Sequence, residues 1–99
     1  MTDVDVQIPS RVDAGTVTGA IERACTQAGL RLTLKTALAS HPGCTHWHYK
    51  RGDARGILEI TWWPAGPRLW LSVQDGRTGD WIDAAIARLV PVIERALRG

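Results

Sequence analysis

Two imidazoles and a carboxylate are the groups in this chain whose types and spacing could do chemistry. His46 and His48 stand two residues apart in the stretch Cys44 to Lys50, so in an extended strand both project from the same side, roughly 6.6 Å apart along the chain. Glu59 belongs to the next apolar stretch and falls beside His48 in the pairing derived below. Imidazole nitrogen and carboxylate oxygen both bind zinc at about 2.0–2.2 Å, and three protein ligands leave a fourth position open. His46, His48 and Glu59 are therefore a candidate site for zinc or another divalent metal. Cys44 lies on the same side of the strand, and His41 in the preceding loop is a further donor. The same residues also fit a plainer role, as solvent-facing histidines hydrogen-bonded to Glu59 and Thr61, and then no cofactor is expected. A hydrolytic set of Ser72, Glu59 and His48 fails on order, because the carboxylate falls between hydroxyl and imidazole. A mid-strand serine also lacks an oxyanion hole.

These residues must be positioned by a sheet. Residues 67–74 alternate with a period of two, as do residues 56–63, and Pro64-Ala65-Gly66-Pro67 between them is a turn of hairpin length. Pairing Trp63 with Arg68 sets Trp62 against Leu69, Ile60 against Leu71 and Leu58 against Val73. The strand before, Cys44 to Lys50, leads through the polar loop 51–56. Pairing Lys50 with Ile57 then sets Tyr49 against Leu58 and Trp47 against Ile60. A slip of one residue would flip every side chain, and only this register gathers the apolar residues on one face. The opposite face is left with His46, His48, Glu59, Thr61, Trp63, Arg68, Trp70 and Ser72. Two tryptophans, two histidines and an arginine on a nominally exposed surface mark a contact surface.

The flanking segments supply the other layer. Ser10 followed by Asp13 reads as the start of a helix whose Val17, Ala20, Ile21, Ala24, Cys25 and Ala28 form one stripe, ended by Gly29. Leu30, Leu32 and Leu34 alternate with polar residues and read as a first strand, with helix as the alternative. Asp80 and Asp83 open a second helix with the stripe Ile82, Ala85, Ile86, Leu89, Ile93, Ala96 and Leu97, which Pro91 should kink. Residues 1–9 alternate Val4, Val6 and Ile8 and form an N-terminal arm or an edge strand. Residues 10–99 are a single domain.

The expected fold is an α+β two-layer sandwich, α-β-β-β-β-α. An antiparallel meander of three to four strands carries its N- and C-terminal helices on one face. Ninety-nine residues allow one modest core. A formal charge of +2 is too small to imply nucleic acid by itself. Two cysteines and no signal-peptide pattern point to a reduced, cytoplasmic protein, and the lack of a long apolar run points away from membranes. The function expected on these grounds is a non-enzymatic binding or self-association module, most simply a homodimer through the Trp/His face, since Trp and Arg dominate interface energetics. The alternatives are a metal-binding protein or metal-dependent enzyme using His46, His48 and Glu59, and nucleic-acid binding through the same face. The nucleic-acid reading rests on topology shared with the double-stranded-RNA-binding domain and on the rim of Lys50, Arg51, Arg55 and Arg68. Against it, Asp80 and Asp83 are acidic where phosphate would be met.

Overall fold

A computed structural model describes residues 2–99. The chain runs β1 (Thr2–Val6), α1 (Ala14–Gln27), β2 (Arg31–Thr36), β3 (Thr45–Lys50), β4 (Leu58–Trp63), β5 (Arg68–Val73) and α2 (Ile82–Arg98). The class is α+β. The strands form one antiparallel sheet of five in the order β1-β5-β4-β3-β2.

The strand count corrects the expected meander of three to four. Residues 2–6 are an edge strand, with Val4 opposite Leu71 and Val6 opposite Leu69, while Met1 lies outside the described residues. Val6 is buried in the core, which supplies the docking that an isolated arm would lack.

The central register is the one the alternation predicts. Trp47 pairs with Ile60 and Tyr49 with Leu58, and Trp63 pairs with Arg68 across the turn. Helices α1 and α2 cover the face holding Trp47, Ile60 and Leu71, and these residues join Val17, Ile21, Leu89 and Ile93 in one core. Fully burying an aliphatic side chain of this kind is worth about 1.5–3 kcal/mol.

Three local readings change. Asp13 is the N-cap of α1, accepting from Thr16 N at 3.1 Å, so the Ser10–Asp13 pair is not a capping box. Trp81 precedes the first residue of α2 without a side-chain cap, and its Nε1 donates to Arg55 O at 2.9 Å instead. This tie draws the 51–56 and 75–81 loops together so closely that a Cβ on Gly79 would meet Arg55 O. Pro91 lies inside α2 without ending it, with its face toward solvent, where the missing N–H costs least.

The third change is in β2. Leu32 pairs with Tyr49 and Leu34 with the adjacent His48, so Thr33 is an extra residue in a β-bulge. The bulge defeats the simple alternation. It turns Leu32 toward the helix layer and Leu34 toward the histidine face, and both remain exposed. After the bulge, Lys35 faces α1, where its Nζ meets Glu22 Oε2 at 2.7 Å.

Candidate metal centre

The face opposite the helices is not open. Trp70 is 7% exposed, His46 6%, Glu59 3% and Thr61 1%, with Ser72 and Cys44 also buried. The face is covered from two ends. The 37–44 loop crosses one end, with Leu38 N donating to Cys44 Sγ at 3.2 Å and Trp63 Nε1 donating to Pro42 O at 3.2 Å. The His41 ring stands edge-on to Trp63, centroids 4.9 Å apart, and tilted against Trp70 at 5.4 Å. From the other end Arg68 lies 4.2 Å above the Trp70 ring and is held there by Asp5 Oδ1 at 2.9 Å. Trp70 thus contacts both an imidazole and a guanidinium, and the guanidinium is attracted to its π system. This corrects the picture of an exposed tryptophan surface, because only Trp63, His48 and Arg68 of that face are half-buried.

Beneath this cover the sheet rows bring His46, His48 and Glu59 together. His48 is directly opposite Glu59 and His46 opposite Thr61, and Glu59 is opposite Ser72. The Nε2 atoms of His46 and His48 are 3.1 Å apart, and Glu59 Oε1 lies 3.2 Å from His46 Nε2 and 3.7 Å from His48 Nε2. Thr61 Oγ1 meets His46 Nδ1 at 2.8 Å and so fixes the ring orientation. Gln74 Nε2 donates to Glu59 Oε1 at 3.2 Å. Glu59 Oε2 is buried without a hydrogen-bond partner among the described residues, and the nearest cation to it is Arg77 at 3.9 Å. Burial pushes the His46 pKa below its ordinary value, and neighbouring His48 adds to this while Glu59 opposes it. His46 is therefore a neutral imidazole at neutral pH, the form that binds metals.

In the tautomers that leave both Nε2 atoms unprotonated, these three atoms are converging acceptors that a single divalent cation would satisfy. Tetrahedral bonds of about 2.0–2.1 Å place neighbouring ligand atoms about 3.3 Å apart. The observed separations of 3.1, 3.2 and 3.7 Å bracket that edge. His46, His48 and Glu59 are also the group of His, Cys, Asp and Glu among the described residues able to share one ion. Cys44 is not in it, since its thiol is engaged with the Leu38 backbone.

A cavity of about 250 Å³ borders the triad on the β1 side and is lined by His46, Glu59, His41, Asp3, Trp70 and Ser72 among others. Asp3 and Gln74 are participants that sequence reasoning missed. A signal for Asp3 was present, because the alternation of Val4 and Val6 puts Asp3 and Asp5 on the histidine face once the arm is taken as a strand. No sequence signal marked Gln74 as a donor to Glu59.

No protein-family model matches the chain, and neither does any curated protein or solved structure. No helix among the described residues is long and apolar enough to cross a membrane.

Proposed function

We propose that this domain is a metal-binding protein that holds one divalent first-row transition ion on His46 Nε2, His48 Nε2 and Glu59 Oε1. The observation that carries this reading is the convergence of the three ligand atoms at tetrahedral spacing inside a buried face. Burying a carboxylate costs several kcal/mol unless it is compensated, and here Oε1 accepts from the Gln74 amide while Oε2 has no hydrogen bond and meets only the Arg77 guanidinium at 3.9 Å. A divalent ion on Oε1 would add balancing positive charge to this weakly compensated carboxylate. Two nitrogens and one oxygen suit zinc, and the same donor set also serves iron(II). His46 is oriented from behind by Thr61, the arrangement by which metal-ligating histidines keep one nitrogen aimed at the ion.

Self-association rests on two exposed tryptophans, and of these Trp70 is covered within the single chain while Trp63 is half-buried, so the metal reading is preferred. The test is a zinc titration of tag-free protein against a chromophoric chelator. One equivalent bound by wild type, and none by His46→Ala or His48→Ala, is the expected result. Equal binding by all three proteins, or none by wild type, would remove the reading.

A further inference from the structure

The fourth position on the metal remains to be assigned, and the assignment rests on the metal reading above. We propose that His41 supplies it through Nε2, and that the 37–44 loop closes on a bound ion.

Three observations carry this. His41 lines the same cavity as His46 and Glu59, with its ring against Trp63 and Trp70. Its Nδ1 is 2.9 Å from Ser40 Oγ, which leaves Nε2 as the nitrogen available to a metal. His46 repeats this arrangement with Thr61 Oγ1 at 2.8 Å, and metal-bound histidines characteristically have their outer nitrogen held in this way. The loop is also anchored on the face at both flanks, through Leu38 to Cys44 and Pro42 to Trp63. Closure then requires movement of His41 toward the triad while these two anchors hold the flanks of the loop.

His41 stands outside the converging group in this structure. Coordination brings its Nε2 to about 3.3 Å from the other ligand atoms, the tetrahedral edge, and draws the ring off the edges of Trp63 and Trp70. The competing donor in the cavity, Asp3, is a less suitable fourth ligand because Ser72 lies between it and Glu59 in the sheet row. With His41 bound the site has four protein ligands, the form taken by retained, structural ions. Metal occupancy and loop position are then coupled.

Cobalt(II) titration of the full chain tests this with wild type, His41→Ala and H41C. Wild type should develop the intense visible bands of tetrahedral cobalt, with a change in tryptophan fluorescence as His41 leaves the two indoles. The alanine variant should bind at least about 10–100-fold more weakly, the loss typical even for an outer-shell partner, and lose the fluorescence change. H41C should show a near-ultraviolet thiolate-to-cobalt band that wild type lacks. Unchanged affinity in His41→Ala together with no such band in H41C would overturn the role of His41 and leave the three-ligand site standing. Failure of wild type to bind cobalt would overturn both.

Discussion

Replacing Glu59 by Gln should have opposite effects on the empty and the loaded protein. Without metal, Glu59 is a carboxylate 3% exposed with an unpartnered oxygen. The amide keeps the volume, removes the buried charge and can donate to an imidazole nitrogen. Removing a buried charge that lacks a close full partner relieves its desolvation cost. In chelator, Glu59→Gln should therefore melt at or above the wild-type temperature.

With zinc the order reverses. At a free concentration 100 times its Kd, a ligand stabilises the native state by about 2.7 kcal/mol. For a domain of this size, each kcal/mol moves Tm by about 4–8 °C, so wild type should rise by about 11–22 °C. If the lost carboxylate weakens binding about 100-fold, the same zinc concentration only equals the new Kd. The gain falls to about 0.4 kcal/mol, or roughly 2–3 °C. Thermal denaturation followed by circular dichroism, with zinc and with chelator, measures all four states. An equal zinc shift in both proteins would refute the argument. So would a loss of more than about 2 kcal/mol in chelator, which would show the carboxylate to be a net stabilising partner of the histidines.

Three further outcomes are expected. Trp70→Ala should cost about 3–5 kcal/mol in urea denaturation, because Trp70 is packed against both His41 and Arg68, whereas a near-neutral result would mean that the face is open in solution. Glu22 accepts from Lys35 and from Trp47 Nε1, and these bonds hold its pKa below the ordinary value, the Lys35 bond most strongly. A depressed carboxylate pKa contributes stability above the unfolded value that is lost as pH falls through the folded one. Glu22→Gln should accordingly cost about 0.5–1 kcal/mol near neutral pH, limited by solvent screening. The gap should close below the ordinary carboxylate range, and a pH-independent difference in paired denaturation curves would contradict the assignment. The Cys25 thiol is pushed up to about 12 by burial, and Cys44 is 5% exposed. Both should label slowly with a disulfide reagent in the native protein and rapidly in urea, and fast native labelling of either would contradict the packing.

The centre of this fold was legible because β3, β4 and β5 obey strict alternation and their turn is short. One register alone buries Trp47, Ile60 and Leu71 together, and the same register sets His48 beside Glu59. The helices were legible from their apolar stripes, although their first turns were not. Asp13 and Trp81 show that capping is settled by which side chain reaches a free N–H, and spacing alone does not decide this. The edges were harder. β1 is short and half polar, and its place beside β5 depends on a contact across most of the chain. The bulge at Thr33 is invisible to a period-of-two count, since both Leu32 and Leu34 suit a strand. The covering of the histidine face by the 37–44 loop depends on tertiary contacts of His41 and Pro42 with Trp63, for which local sequence carries no signal. That is why two tryptophans read as an exposed patch, when one of them helps roof a polar cluster.

The most direct test of the central claim is anomalous X-ray diffraction at the zinc edge from crystals of the zinc-loaded protein. The account predicts one strong peak at bonding distance from His46 Nε2, His48 Nε2 and Glu59 Oε1. A peak elsewhere on the surface, or an empty triad in zinc-soaked crystals, would contradict it.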